Sequence, residues 1–183
     1  MDNGESSCRR FLQGDKSAFD DILKEYRQSL TFFIYRYVKD YDEAEDIAID
    51  VFVEFLAHPK KYNFKTSLKT YLFMLGRSRA LDFLRQSKKH RKADIEELDK
   101  TADNSGSLWE EFIKGERSRA LNEAISGLSE DMKIAVHLVY FEGLSYEETG
   151  KVMKKSRKQI DNLLYRAKGK LKIALSEKGV ELR

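Results

Sequence analysis

LSYEETGKVMKKSRKQIDNLLYRAKGKL, residues Leu144–Leu171, contains two helix starts with a short turn between them. Ser145 stands three residues before Glu148, the spacing of a capping box, in which hydroxyl and carboxylate each satisfy a free backbone N–H. Tyr146, Thr149, Val152 and Met153 then recur at helical spacing. Lys154-Lys155 is a polar break, and Ser156 is placed to cap a second helix. On that helix Ile160, Leu163, Leu164, Ala167 and Leu171 make one apolar stripe. Arg157, Lys158, Gln159, Asn162, Arg166, Lys168 and Lys170 occupy the other positions. Two short-linked helices, the second basic with amide side chains near its start, suit a helix-turn-helix. Its second helix would enter the DNA major groove N-terminus first. A solvated surface helix packed on a bundle carries the same pattern, so the rest of the chain has to decide.

Composition narrows the choice. Charged residues are 36% of the 183 and hydrophobic ones 41%, enough for solubility and for packed cores. A single proline and abundant Lys, Glu, Leu and Ala predict an all-α fold, in one domain or two small ones. The net charge of +3 hides a segregated pattern. Arg85 to Lys92 holds five Lys or Arg and no acid, and Lys154 to Lys172 holds eight with one acid, Asp161. Between them, Asp94 to Glu111 holds seven acids and one lysine. Cys8 is the only cysteine, so no intramolecular disulfide can form, which fits a reducing compartment. No stretch reads as a signal peptide or reaches membrane-spanning length, and a cytoplasmic protein is expected.

In chain order, residues 1 to 14 are polar and expected to fray, with Phe11 and Leu12 near a helix start. Asp15 or Ser17 can cap a helix carrying Phe19, Ile22, Leu23, Tyr26, Leu30, Phe33, Ile34 and Tyr37. After a break at Asp40 to Asp42, a second helix carries Ala44, Ile47, Ala48, Val51, Phe52, Phe55 and Leu56 on one face. Asp42, Glu43, Glu45, Asp46, Asp50 and Glu54 lie on the other. His58-Pro59 ends it. The loop KKYNFKT, Lys60 to Thr66, mixes cations and aromatics, and Ser67 can cap a third long helix with Leu68, Tyr71, Leu72, Leu75, Ala80, Phe83 and Leu84 inward. That helix runs into the basic end at Arg85 to Lys92. Five cations there exceed what a helix dipole needs, and a surface tracking phosphates is the better reading. Asp94 to Gly115 reads as a linker, with Trp109, Phe112 and Ile113 able to dock it locally. From Glu116 a helix follows with Ala120, Leu121, Ala124, Ile125 and Leu128. Ser129 then caps another with Ile134, Ala135, Leu138, Val139 and Phe141 inward, closed by Glu142-Gly143.

Asp42, Glu45, Asp46 and Asp50 line one helix face, as a divalent metal site would require. Di-iron carboxylate bundles also need Glu-x-x-His pairs, however, and His58, His90 and His137 have no such spacing. A solvated face or a docking surface for a basic partner fits better. No nucleophile–base pair and no glycine-rich phosphate loop is present, so no catalysis and no cofactor is expected. The KKYNFKT loop suits single-stranded nucleic acid, bases stacking on Tyr62 and Phe64 while Lys holds phosphates. A loop with its aromatics tucked into the core is an equal alternative.

Three segments together resemble the bacterial extracytoplasmic-function (ECF) sigma factors of the sigma-70 family, over about Phe11 to Leu175. Glu43-Ala44-Glu45-Asp46-Ile47 with Asp50-Val51-Phe52 resembles the family's acidic helix, usually DAEDL then QEVF. Ser67-Leu68-Lys69-Thr70-Tyr71-Leu72, Gly76-Arg77-Ser78 and Leu81-Asp82-Phe83-Leu84-Arg85 resemble its promoter-melting helix. Gly127-Leu128-Ser129, Phe141 to Glu148 and Tyr165-Arg166-Ala167-Lys168 resemble its second domain. Ile49 stands where Gln is usual, Tyr71 for Trp and Ser78 for Asn, and Gln159 to Leu163 replace the common Thr-Val-Lys-Ser-Arg.

The resemblance implies two small helical domains, 1–92 (region 2) and 116–183 (region 4), joined by a flexible acidic linker, 93–115. Glu45, Asp46, Asp50 and Phe52 would meet the β′ clamp helices of RNA polymerase, with the β flap as a further contact. Tyr62, Asn63, Phe64, Tyr71, Arg77, Ser78 and Arg85 would read and open the −10 element as single strand. Arg157, Lys158, Gln159, Asn162 and Arg166 would read the −35 duplex. Asp161 would point away or accept from cytosine N4. An anti-sigma factor is a further expected partner. The alternative is a free-standing helix-turn-helix regulator that binds duplex DNA alone.

Overall fold

The computed structural model describes residues 4–93 and 116–177, with side chains for 4–89 and 121–177. The expected linker and the docking of Trp109, Phe112 and Ile113 lie outside the described residues. The described residues are helical, with no strand among them, and form two compact units. No helix among them is long and apolar enough to cross a membrane.

In the first unit, α1 (Glu5–Leu12), α2 (Ser17–Val38), α3 (Tyr41–Ala57) and α4 (Leu68–Ala93) surround one core. Polar side chains fix where the helices start. The Asp15 carboxylate accepts from the Ser17 backbone N–H at 3.0 Å and its hydroxyl at 2.6 Å. Asp40 accepts from the Glu43 N–H at 3.1 Å, and the Ser67 hydroxyl from the Thr70 N–H at 3.2 Å. Each satisfies a donor that the first helical turn leaves unpaired. Inside, Ile22, Tyr26, Leu30, Phe33 and Ile34 of α2 are buried, as are Ala44, Ile47, Val51, Phe52 and Phe55 of α3 and Leu68, Leu72 and Ala80 of α4. Each large side chain so buried contributes roughly 1.5–3 kcal/mol against the unfolded chain. Phe73, outside the expected stripe, is also fully buried and meets Phe33 at 4.9 Å between ring centroids.

Two expectations for this unit are corrected. Residues 5–12 do not fray: α1 packs on α2, Cys8 is fully buried, and Phe11 meets the rings of Phe19 and Phe55 at 5.7 and 6.1 Å. Two turns give too short a stripe for periodicity to register, yet Cys8 and Phe11 at i and i+3 suffice to dock a helix. Leu56, read as inward, is 46% exposed on α3, beside Val53 at 55% and Ile49 at 43%.

In the second unit, α5 (Glu116–Ser126) and α6 (Glu130–Val136) pack against α8 (Arg157–Glu177), and α7 (Tyr146–Met153) precedes α8. Ser129 holds the N-cap position of α6, but its side chain makes no cap hydrogen bond. After α6 the chain widens into a π-helical turn, His137–Phe141, with the Glu142 N–H donating to the His137 carbonyl at 3.1 Å. The extra residue per turn rotates the face. Phe141, read as inward, is exposed, while His137 is buried with Nε2 3.3 Å from the Glu142 carboxylate. Gly143, at φ 70°, turns the chain out of this helix, as expected of a glycine there.

Candidate nucleic-acid interface

The helix-turn-helix of the second unit is fastened at both helix starts. The Ser145 N–H donates to Glu148 Oε2 at 3.0 Å while the Glu148 N–H donates to Ser145 Oγ at 3.2 Å, the predicted capping box. Ser156 caps α8 in the same way: the Gln159 N–H donates to Ser156 Oγ at 3.2 Å, and the Ser156 N–H donates to Gln159 Oε1 at 2.7 Å. Gln159 thus serves the helix start, a role readable from its i+3 spacing to Ser156. Between the helices, Lys154 adopts a left-handed φ of 54° and the Lys155 N–H returns to the Gly150 carbonyl at 2.9 Å. A Cβ on Gly150 would sit 2.6 Å from the Lys155 carbonyl oxygen, so the turn closes only because residue 150 has none. Ile160, Leu164 and Ala167 anchor α8 in the core. Arg157, Lys158, Gln159, Asp161, Asn162 and Arg166 all lie exposed. Lys168 binds the exposed Tyr140, which raises its pKa further.

In the first unit the loop 62–66 is tightly organised. Tyr62 is buried, its hydroxyl donating to the Thr66 carbonyl at 2.7 Å, and its ring meets Tyr71 at 5.2 Å and Phe64 at 4.6 Å. Burial pushes the Tyr62 hydroxyl well above its ordinary pKa, and that of Tyr71 upward as well. Asn63 is exposed, its carbonyl oxygen accepting from the Lys65 N–H at 3.1 Å, and Phe64 is half-buried with φ 59°. Tyr62 therefore supports the loop from inside, while Asn63 and Phe64 form its tip. On α4, Ser78 and Arg85 are exposed and Arg77 is half-buried. Arg79, on the same helix, pairs with Glu54 of α3 at 2.6 Å. Its guanidinium holds the Glu54 carboxyl below the usual range, assisted by Lys61 at 3.5 Å.

The acidic face of α3 presents Asp46 and Asp50 to solvent, whereas Glu45 is half-buried and pairs with Arg27 of α2 at 2.5 Å. Phe52 is buried and lines an apolar groove of about 380 Å³ with Phe19, Leu23, Ile49, Val53 and Leu56. This face is thus mixed, acidic and apolar side by side. Ile49 and Val53, missed as surface candidates, stand four apart outside the core stripe, which is the signal that exposes them. Among the described residues no three His, Cys, Asp or Glu side chains group as metal ligands.

A helix-turn-helix in one unit and an aromatic, cation-flanked loop beside an acidic helix in the other give a two-part helical architecture. The family model for Sigma-70 region 2 matches residues 22–90, and that for Sigma-70, region 4 matches residues 118–171. Among relatives, the RNA polymerase sigma-H factor of Pseudomonas aeruginosa is 26% identical, over 96% of this chain and 95% of its own. The ECF RNA polymerase sigma factor SigM of Bacillus subtilis is 28% identical, over 88% of this chain and 96% of its own. The sigma factor RpoE of Bartonella quintana, solved in complex with the anti-sigma factor NepR, shares the fold. Its TM-score is 0.64 at 20% identity, covering 86% of this chain and 96% of that one. The chain belongs to the sigma-70 family of RNA polymerase sigma factors, in its extracytoplasmic-function group.

Proposed function

We propose that this sigma factor divides promoter recognition between its units, with region 2 spanning 1–92, an acidic linker 93–115 and region 4 spanning 116–183. The observation that carries the division is the pairing of one solvated acidic face with two separate basic surfaces in a single chain. Asp46 and Asp50 lead the contact with the clamp helices of the polymerase β′ subunit, Glu45 contributes as it exchanges Arg27, and Phe52 shapes the groove beside them. Ile49 and Val53 extend that contact with apolar surface. The second unit also meets the β flap.

At the −10 element the loop tip, Asn63 and Phe64, takes a base flipped out of the stack, while buried Tyr62 and half-buried Tyr71 hold the loop. Flipping costs a few kcal/mol, which stacking and a shaped pocket offset. Arg77, Ser78 and Arg85 follow the strand. At the −35 element α8 enters the major groove: Arg157, Lys158 and Arg166 reach phosphate or guanine edges, Asn162 reaches a base, and Gln159 and Asp161 are exposed on either side of the buried Ile160. Gln159 reads DNA only by leaving its cap, so its first task is fixing the helix start. Neither unit has to bind tightly alone, because polymerase raises the effective concentration of each at its own element. The chain carries no catalysis of its own and acts in the bacterial cytoplasm, where an anti-sigma factor is its expected restraint.

Co-purification with core polymerase tests the acidic face. Asp46→Arg is expected to abolish association and leave the melting temperature unchanged, since Asp46 is solvent-exposed. Retained association would count against the interface.

A further inference from the structure

The helix α1 lies before the segment matched to region 2, yet it reaches the −10 loop. The Arg9 guanidinium carbon stands 4.4 Å from the centroid of the Phe64 ring. Phe64 is the loop-tip aromatic, with a left-handed φ of 59° that a bulky side chain adopts only when its surroundings hold it. Arg9 is placed by a firmly anchored helix: Cys8, its neighbour, is fully buried, and Phe11 packs on Phe19 and Phe55. The proximity extends to charge, since Glu5, Cys8 and Arg9 of α1 all act on the Tyr62 hydroxyl. The Arg9 side chain is nevertheless 61% exposed, and the carboxylate of Glu5 stands 4.0 Å away. Lys61, by contrast, pairs with Glu54. A guanidinium can lie on an aromatic face and still donate from its edge, because its five N–H groups lie in its own plane. Beside a captured base that edge can exchange its long contact with Glu5 for a charge-assisted hydrogen bond to a phosphate oxygen.

We propose that Arg9 is part of the −10 strand site, holding the Phe64 ring for the captured base and donating from its outer edge to an adjoining phosphate. The proposal rests on the reading of loop 62–66 as the strand-capturing loop and adds α1 to it. It makes Arg9 a positioning residue through Phe64 and a direct contact to the strand.

The test uses the full chain assembled with core RNA polymerase. The probe is a promoter bubble whose single-stranded −10 segment is randomised, and affinity, salt slope and enriched sequence are measured. Arg9→Ala is expected to weaken binding by about two- to five-fold and to lower the salt slope by about 0.7, one single-strand phosphate contact. Arg9→Lys is expected to restore the slope but not the sequence preference at the captured base, because an ammonium lacks the planar stack. Melting of the free chain is expected to stay unchanged in both. Affinity, slope and preference all unchanged in Arg9→Ala overturn the proposal. Phe64→Ala separates the two layers: an unchanged enriched sequence sinks base capture by this loop, while a lowered slope in Arg9→Ala would still uphold the phosphate contact. A changed sequence in Phe64→Ala with no effect of Arg9→Ala sinks only the role given to Arg9.

Discussion

Gly150 and Gly169 both lie within helices of the helix-turn-helix, and alanine is expected to act on them in opposite directions. In a helix interior alanine is favoured over glycine by about 1 kcal/mol. At Gly169 a Cβ would meet nothing within 4 Å, so Gly169→Ala collects that gain almost entirely. At Gly150 the Cβ would stand 2.6 Å from the Lys155 carbonyl oxygen, a backbone atom that no rotamer change can move aside. Relief requires opening the turn closed by the Lys155 N–H to Gly150 carbonyl bond at 2.9 Å. Overpacking of this kind costs about 1–3 kcal/mol, and the weakened hydrogen bond about 1 kcal/mol more. After the propensity gain, Gly150→Ala should destabilise the unit by about 1–3 kcal/mol. Hydrogen exchange of the full chain, followed in peptides covering residues 145–170, reads this directly. Exchange should accelerate about five- to hundred-fold in Gly150→Ala and slow up to about five-fold in Gly169→Ala. Unchanged or slowed exchange in Gly150→Ala would refute the close-approach argument.

Gln159→Ala should weaken the start of α8 by about 0.5–1 kcal/mol even without DNA, and Gln159→Glu should retain the cap because a carboxylate completes the box equally well; helicity and exchange at 156–162 check both. Glu54→Gln should cost about 1 kcal/mol at neutral pH, discounted because Arg79 is half exposed. The Glu54 pKa is lowered by Arg79 in the folded chain, so its contribution is complete above the ordinary carboxylate range and disappears as pH falls through the lowered value. Melting curves of wild type and Glu54→Gln should therefore converge on acidification below about pH 4. Arg157→Ala or Lys158→Ala should lower the salt slope of −35 binding by about one, and an unchanged slope in both would place these side chains away from DNA.

The long amphipathic helices were legible because each carries five or more apolar positions at helical spacing, as α2 does from Ile22 to Ile34. The helix-turn-helix was legible for another reason: Ser145 with Glu148, and Ser156 before a basic run, mark helix starts whatever the rest of the fold. Periodicity had less to offer where geometry departs from a regular helix. The π-helical turn at His137–Phe141 leaves Tyr140 and Phe141 both exposed and turns His137 inward, and nothing in the spacing of HLVYF announces the extra residue. The two-turn α1 is too short to show a stripe, so the burial of Cys8 and the placing of Arg9 emerge only in three dimensions. Pairings between helices are equally silent in sequence. The contact of Arg79 with Glu54 joins residues 25 apart and ties up one carboxylate of the acidic helix face.

The division of promoter recognition between the two units is tested most directly by initiation itself. Purified chain and core RNA polymerase are combined on genomic promoter fragments, and the 5′ ends of the transcripts are mapped. Transcripts should start at a discrete set of promoters only when the chain is added. Asp46→Arg should abolish them all, and Phe64→Ala and Arg157→Ala should impair opening and −35 engagement separately. A chain that binds duplex DNA tightly alone, yet neither associates with polymerase nor directs any transcript, would contradict the account.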